Sequence, residues 1–198
     1  MTDWQKQYEI GETPWIKGRA HPHLTTPPHL AITGRWLVPG CGLGHDAAAL
    51  LDCGADEVVG LDIAPLAVEQ AQKLWMDNPR MIMQTGDLFT LCDGSLAGTF
   101  DGVWEHTCFC AIPPTRRKDY VQSVAAALKP GGRLVSCFYL RPWDPEEDQS
   151  QGPPFGSSLE ELDALFGTHF ILEKEFPPNA TFQGREGREL IRQWRKKI

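Results

Sequence analysis

Short apolar runs alternate along the chain with longer segments in which apolar residues recur at helical spacing. The apolar runs predict seven strands, at residues 35–39, 57–61, 80–84, 99–104, 133–139, 169–175 and 179–183. The periodic segments predict helices at residues 44–53, 65–76, 116–128, 159–166 and from about 185 to 197. Strands that alternate with helices of this length are typical of a parallel sheet covered by helices on both faces. The pattern predicts an α/β fold.

Two regions lie outside this alternation. Residues 1–30 are rich in Trp, Pro and His, and residues 143–158 are rich in Pro, Gly, Asp, Glu and Ser and predict a long loop. Pro177-Pro178 joins the last two predicted strands, which suggests an antiparallel pair at one edge of the sheet. The length of 198 residues suits a single domain, which we expect to span residues 1–198.

Composition narrows the partners and the compartment. The formal net charge of −7 argues against nucleic acid or an anionic membrane as the main partner. No apolar run is long enough to cross a bilayer and the N-terminus lacks the pattern of a secretory signal, so we expect a cytoplasmic protein and a monomer. Six cysteines form no CxxC pair, which favours free thiols packed in a reducing compartment. A redox role for Cys108 and Cys110 is the less favoured alternative.

A glycine-rich turn between the first strand and the first helix is the first candidate ligand site. It reads Val38-Pro39-Gly40-Cys41-Gly42-Leu43-Gly44. Glycines there allow a ligand to approach the backbone closely, and the helix N-terminus offers free N–H groups. The nicotinamide fingerprint is GxGxxG and this turn is GxGxG, a difference that is weak evidence alone.

Polar residues end three further strands. Asp62 follows the second strand, where a carboxylate can accept both hydroxyls of a ribose, and Ile63 beside it offers apolar surface to an adenine. The alternative for Asp62 is a helix N-cap, and both roles can hold. Asp87, with Leu88, could hold the adenine, or Asp87 could be a turn aspartate. Glu105 and His106 end the fourth strand, and the carboxyl ends of parallel strands form one ligand crevice.

Several stretches together give the chain its resemblance to a known family. They are the N-terminal tryptophans with Thr13-Pro14-Trp15, the turn at residues 37–44 with His45-Asp46, Val59-Gly60-Leu61-Asp62, Phe109-Cys110-Ala111-Ile112 with Arg117, Gly152-Pro153-Pro154, and the tail Trp194-Arg195-Lys196-Lys197. Across nearly its whole length the chain resembles the thiopurine S-methyltransferase family, including its thiocyanate and halide methyltransferase branch. The Val-Pro-Gly-Cys-Gly run with Asp46 is the most specific of these features.

The resemblance implies a Rossmann-like seven-stranded sheet, S-adenosylmethionine as methyl donor, and methyl transfer to the sulfur of a small thiol or a similar soft anion. Matched positions imply that Trp4, Trp15, Gly40, Asp62, Asp87, Leu88 and His106 line the cofactor, and Tyr8 stands where the halide branch has a second tryptophan. The expected cofactor site also includes four residues of the glycine-rich turn and the strand ends, which are Cys41, Gly42, Ile63 and Glu105. They also imply that residues 1–30 form a lid over the cofactor, and that Arg117 and Tyr139 lie near the acceptor. For Arg117 the alternative is a surface ion pair, and for the N-terminal aromatic residues it is ordinary core packing.

The chemistry implied is an in-line displacement at a sulfonium methyl group. A thiolate is the nucleophile, so the reaction needs alignment and exclusion of water but no metal and no strong base. Transfer to halide or thiocyanate, or to an amine of a thiol-bearing metabolite, is the close alternative. A nicotinamide dehydrogenase and a non-enzymatic binding module are the more distant ones. His106 could act as a general base or only line the pocket.

Overall fold

A single sheet of seven strands forms the centre of the computed structural model, which describes residues 2–92, 94–144, 146–148 and 151–198. The strands are β1 (Arg35–Pro39), β2 (Glu57–Asp62), β3 (Met81–Thr85), β4 (Phe100–His106), β5 (Leu128–Tyr139), β6 (Phe170–Phe176) and β7 (Glu189–Lys196). Their order across the sheet is β3-β2-β1-β4-β5-β7-β6. The first five are mutually parallel, and β7 pairs antiparallel with both β5 and β6.

Helices cover both faces of the sheet. They are α1 (Trp4–Ile10), α2 (Pro22–Thr25), α3 (His45–Asp52), α4 (Pro65–Leu74), α5 (Arg117–Ala127) and α6 (Leu159–Phe166). Alternation along β1 explains the two layers, because Trp36 and Val38 pack in one apolar core with α3 and α4 while Leu37 packs in the other with α5 and α6. The expected α/β architecture is confirmed. In the described part of the chain, no helix has both the length and the apolarity needed to cross a membrane.

The C-terminal element corrects the sequence analysis. The expected helix at about 185–197 is wrong, since Glu189–Lys196 is the strand β7, and the expected strand at 179–183 is absent. The charged tail resembles a solvated helix, but Arg192 bonds to Asp163 and Glu175, and Arg195 bonds to Glu173. These carboxylates lie on α6 and on the neighbouring strand β6, so tertiary pairing offsets the low strand propensity of the tail.

The parallel strands bring the glycine-rich turn, Asp62, Asp87 and His106 to one edge of the sheet, because each lies at or just beyond the carboxyl end of its strand. The N-terminal segment lies across the same edge, since α1 contacts α4, the helix that begins just after Asp62. The candidate site residues therefore lie together at the carboxyl ends of the parallel strands, next to residues that precede the sheet.

Candidate functional site

The glycine-rich turn and Asp62 form one connected unit. The Asp62 carboxylate accepts the N–H of Gly42 at 2.9 Å and the N–H of Ala64 at 2.9 Å, so it orients the turn and fixes the residue that precedes α4. The N-cap position of α4 is Ala64, and no side chain caps the helix, so the expected N-cap role of Asp62 is wrong. Each carboxylate oxygen retains capacity for further hydrogen bonds. Burial raises the pKa of Asp62, while the N–H groups of Ala64 and Gly42 oppose the rise.

The turn leaves no room for side chains at two of its glycines. Gly40 and Gly42 both have positive φ, at 61° and 52°. A Cβ at Gly40 would lie 3.0 Å from the Cys108 sulfur, and one at Gly42 would lie 3.2 Å from the Tyr8 hydroxyl oxygen. Backbone surface bare of side chains beside a carboxylate fits a nucleoside cofactor with ribose hydroxyls. The Cys41 sulfur lies against Gly60, so Cys41 contributes its backbone to this surface.

The neighbouring strand ends supply an apolar surface. Ile63 is 50% exposed although it is a large aliphatic residue, and it follows Asp62 directly. Asp87 accepts the N–H of Phe89 at 2.9 Å and begins a short 3₁₀ turn that contains Leu88. The turn role of Asp87 is therefore present, and its exposed carboxylate remains accessible beside Leu88.

The N-terminal aromatic residues lie over this surface. Trp15 donates a hydrogen bond to the Tyr8 hydroxyl at 3.2 Å and packs edge-on against Trp4 with ring centroids 5.2 Å apart. Gln5 accepts the N–H of Leu66 at 3.0 Å, which fixes α1 to the first turn of α4. Trp4, Trp15 and residues 11–14 also line an open cavity of about 700 Å³ that reaches Pro153 of the long loop. The N-terminal segment and the long loop thus meet above the sheet edge.

Glu105 has different surroundings from those expected. Its carboxylate is 1% exposed and accepts the N–H groups of Cys108 at 3.0 Å and Phe109 at 2.7 Å. Burial raises the pKa of Glu105 to about 7, although the hydrogen bonds from those two amides act to lower it. The carboxylate lies beneath its own turn because two buried amides there need an acceptor, so it supports the site instead of facing a ligand.

Buried thiols follow Glu105. Cys108 and Cys110 are both buried, and burial raises the pKa of the Cys108 thiol and raises that of the Cys110 thiol to about 12. A reactive cysteine needs an accessible thiolate. Their environment therefore favours packing over a redox role.

His106 is held by the half-buried carboxylate of Asp46. Its Nδ1 lies 2.8 Å from Oδ2 of Asp46, which also accepts the indole N–H of Trp104 at 2.9 Å. The other oxygen of Asp46 accepts the backbone N–H of His21 at 2.7 Å. Burial would raise the pKa of Asp46, but His106, Trp104 and His21 hold it far below its usual range, so Asp46 is ionised.

A second carboxylate lies close by. Glu189 on β7 receives hydrogen bonds from His21 Nε2 at 3.0 Å, from Arg185 at 3.0 Å and from the Thr181 hydroxyl. Burial opposes ionisation of Glu189, yet these partners lower its pKa to about 2. Burial lowers the pKa of His21, which the Glu189 hydrogen bond opposes.

Arg185 joins the two halves of this cluster. Its NH1 atom lies 3.4 Å from Nε2 of His106, and its guanidinium carbon lies 4.5 Å from the ring centroid of Tyr139. Tyr139 ends β5, where its hydroxyl donates to the Pro142 carbonyl at 3.4 Å. In the part of the chain that the structure describes, the Arg185 side chain makes hydrogen bonds to protein only through its Nη1 atom. The N–H groups at Nε and Nη2 of Arg185 can therefore donate hydrogen bonds to an anion.

His21, His106 and Glu189 also form the one group of the described residues whose ligand atoms are close enough to hold a metal, all within 4.8 Å of one another. Arg185 lies among them, with NH1 3.0 Å from Glu189 and 3.4 Å from His106. A fixed guanidinium repels a metal cation at this distance. The cluster is therefore better suited to an anionic or thiol ligand.

Arg117 is buried, in contrast to both interpretations of the sequence. NH1 bonds to both oxygens of Glu161 at 2.8 Å, and NH2 bonds to the carbonyls of Phe155 at 3.1 Å and Gly156 at 3.0 Å. Its side chain is 1% exposed. Arg117 therefore attaches the long loop to α5 instead of contacting the acceptor as expected. Its guanidinium donors are already bonded to these carboxylate and carbonyl oxygens.

His21, Arg185 and Glu189 belong to this cluster, although the sequence pattern predicts no site role for them. His21 belongs to the His-Pro-His run and Asp46 to the motif after the glycine turn, so both carried a signal in the sequence. Arg185 and Glu189 carry no such signal, because the sequence predicts a helix for their segment. His21 and Glu189 are 168 residues apart in the chain, and only the fold brings them together.

The sheet order and the site together define a class of protein. The structure is similar to that of 1,6-didemethyltoxoflavin-N1-methyltransferase of Burkholderia thailandensis, with a TM-score of 0.70 and 20% identity over 99% of this chain and 86% of that one. A likeness at this level of identity shows the fold, which is that of the Rossmann-like methyltransferases.

The family follows from the sequence itself. The model of the thiopurine S-methyltransferase family matches residues 1–189, and the chain belongs to that family. It is 35% identical to thiocyanate methyltransferase 1 of Brassica oleracea over 98% of this chain and 84% of the relative. It is 33% identical to probable thiol methyltransferase 2 of Arabidopsis thaliana over the same shares of both chains. The chain is thus an S-adenosylmethionine-dependent methyltransferase, as the resemblance implied.

Proposed function

We propose that this enzyme methylates the sulfur of a small thiol. S-Adenosylmethionine, when bound, supplies an electrophilic sulfonium methyl group. The observation that carries the proposal is the pairing, at one edge of the sheet, of a nucleoside-sized cradle around Asp62 with a guanidinium at Arg185 that has donors to spare. A thiolate is the reactive form of the acceptor, and a partly buried cation favours it.

Cofactor binding is assigned to one set of residues. Asp62 accepts the ribose hydroxyls, the backbone at Gly40, Cys41 and Gly42 lies against the ligand, and Ile63, Asp87 and Leu88 surround the adenine. Trp4, Tyr8 and Trp15, within a lid of residues 1–30, cover the sulfonium, whose positive charge favours aromatic ring faces. The bare backbone at the glycines and the exposed carboxylate of Asp87 support this assignment. The Asp62 carboxylate is buried but keeps lone pairs for the ribose hydroxyls.

The acceptor side is assigned to Arg185, Tyr139 and His106. Arg185 and the Tyr139 ring bound the space beside His106, and the Tyr139 hydroxyl is only partly engaged by its 3.4 Å contact. Arg117 and Glu105 act indirectly, because one attaches the long loop and the other fixes the turn after β4.

Release of S-adenosylhomocysteine from a panel of acceptors tests the activity. The panel contains an alkyl thiol, thiocyanate, iodide and a primary amine. We expect the thiol to have the largest kcat/KM and the amine to give no turnover, because a primary amine is protonated near neutral pH and the Arg185 guanidinium repels its ammonium form. Turnover of the amine without turnover of any thiol would contradict the proposal.

Calorimetry with S-adenosylhomocysteine tests the cofactor assignment. Asp62→Ala removes the acceptor for the ribose hydroxyls and weakens binding by about 1–3 kcal/mol. Asp52→Ala, at an exposed position in α3, is the matched control. Unchanged affinity in a folded Asp62→Ala protein would place the cofactor elsewhere.

We further propose that the protein is a cytoplasmic monomer. All six cysteines are free, as in proteins of a reducing compartment. The edge strand β6 carries Glu173, Lys174 and Glu175 in succession, and charged edge residues disfavour pairing with a second copy. Light scattering after size exclusion measures the mass of the particle, and a dimer would contradict the second part of the proposal.

A further inference from the structure

The Asp46–His106 pair lies on the acceptor side of the proposed site and has the geometry of an oriented imidazole. Asp46 is ionised and therefore only accepts hydrogen bonds, so the proton between it and His106, at 2.8 Å, belongs to Nδ1. Nε2 then carries a lone pair. The contact at 3.4 Å from Arg185 agrees with this tautomer, since a guanidinium can only donate.

Charged groups of both signs surround His106. Asp46 and Glu189 are carboxylates and Arg185 is a cation, which leaves a net charge of −1 when both histidines are neutral. His21 is kept neutral by burial and uses Nε2 to donate to Glu189.

Other groups face the ring from each neighbouring element. They are Asp46 on α3, His21 in the N-terminal segment, Cys137 on β5 behind His21, Arg185 and Glu189 at β7, and Glu105 on its own strand. Phe182 stacks on His106 with centroids 6.1 Å apart. Arg185 is the one cation in this set. Its guanidinium stacks on the Tyr139 ring and bonds to protein through one nitrogen only, so its other N–H groups can bind an anion.

We infer that His106, oriented by Asp46, takes the proton of the acceptor thiol at Nε2 and that Arg185 stabilises the thiolate that forms. The S–H bond breaks, an N–H bond forms at Nε2, and the bonding electron pair stays on sulfur. With the methyl donor bound, the acceptor sulfur would use that pair to form a bond to the methyl carbon. The bond between the methyl carbon and the sulfonium sulfur would break, and its electron pair would stay on the cofactor sulfur. The proton leaves His106 to solvent after turnover. This role rests on the proposed thiol methylation.

The inference separates two kinds of acceptor. An alkyl thiol has a pKa near that of free cysteine, about 8.5, so most of it is protonated near neutral pH. Thiocyanate is already an anion and has no proton to give up. A base at His106 therefore assists the thiol far more than thiocyanate.

Kinetics of His106→Asn with both acceptors test this role. We expect the ratio of kcat/KM for 2-mercaptoethanol to kcat/KM for thiocyanate at pH 7 to fall about 100-fold, the lower end of what general bases contribute. The residual thiol activity should increase with pH toward the pKa of the free thiol. His169→Asn, at an exposed histidine, is the matched control and should leave the ratio unchanged.

The outcomes are distinct. An unchanged ratio in His106→Asn, whether both activities fall or neither does, overturns the base role and leaves thiol methylation standing. A wild-type protein that methylates neither acceptor overturns the proposed function instead. Binding of S-adenosylhomocysteine shows that each variant is folded. If His106→Asn does not fold, His106→Gln replaces it in the same experiment.

Asp46 has a positioning role that needs its own readout. In the cofactor-free protein, nitrogen NMR of the imidazoles reports the tautomer of His106. Wild type should show a protonated Nδ1, and Asp46→Asn should lose that preference and lower the thiol-to-thiocyanate ratio. A wild-type ring protonated at Nε2 near neutral pH would overturn the inference.

Discussion

Arg117 joins α5 to the loop before α6 through one guanidinium group. Four oxygen atoms receive its donors, two from Glu161 and one each from Phe155 and Gly156. The guanidinium also lies 4.5 Å from the ring centroid of Phe109. Because Glu161 is one-third exposed, its charge is only partly removed from water, and the pair stabilises less than a wholly buried one.

Arg117→Ala should therefore lower the free energy of unfolding by about 2–4 kcal/mol, since two buried carbonyls and a carboxylate lose their donor. Lys should recover little, because an ammonium cannot reproduce the planar set of donors. Denaturant unfolding measures the change. Lys118→Ala, at the exposed neighbouring position, is the control. If Arg117→Ala had wild-type stability and a raised KM for the acceptor, Arg117 would instead belong to the acceptor site.

The N-terminal helix α1 is stabilised chiefly by tertiary contacts. It has seven residues, with Asp3 as N-cap and Gly11 as C-cap. Helices this short are marginal alone, so α1 depends on its contacts with α4 and with Trp15. An element of this kind can detach from the domain without loss of the sheet, which suits a lid.

Deletion of residues 1–18 should leave a folded sheet with weaker cofactor binding. His21 and its contacts remain, while Trp4, Tyr8 and Trp15 are lost. We expect the affinity for S-adenosylhomocysteine to fall at least about tenfold, or 1.4 kcal/mol. Circular dichroism and calorimetry measure both effects, and Glu12→Gln within the same segment is the control. Wild-type turnover of the truncated enzyme would exclude a lid, and aggregation would assign these aromatic residues to the core.

Glu189 connects the two ends of the chain at the scale of the whole molecule. It joins His21 of the N-terminal segment to β7 near the C-terminus. Its pKa is lowered from the ordinary 4.5 to about 2, so the unfolded chain binds the proton more readily than the folded one. The resulting stability is present above pH 4.5 and is lost as the pH falls toward 2.

Glu189→Gln should lower stability at neutral pH and flatten its dependence on pH between about 4.5 and 2. Asp46 has the same sign and remains in the variant, so part of the slope should persist. Urea unfolding at pH 7, 4.5 and 3 measures the slope, with Glu12→Gln as the exposed control. A variant whose slope equals that of wild type would mean that Glu189 is not ionised by its partners.

The sequence by itself determined the features that depend on local pattern. Apolar runs specified β1 to β6 within a few residues, and the glycine turn with Asp62 indicated the edge of the sheet where the candidate site lies, since turn geometry and strand ends are encoded by neighbouring residues. Family resemblance placed the whole chain in the correct family.

Only the tertiary structure decided the rest. The tail became β7 because its arginines meet carboxylates on α6 and β6, and β5 supplies the neighbouring strand. Arg117 bonds to the long loop instead of lying near the acceptor, and Arg185 lies beside His106. A buried charge needs a partner, and in both cases the partners lie far away in the chain. Such pairings have no local signature, so they follow from the fold and not from the pattern that predicts it.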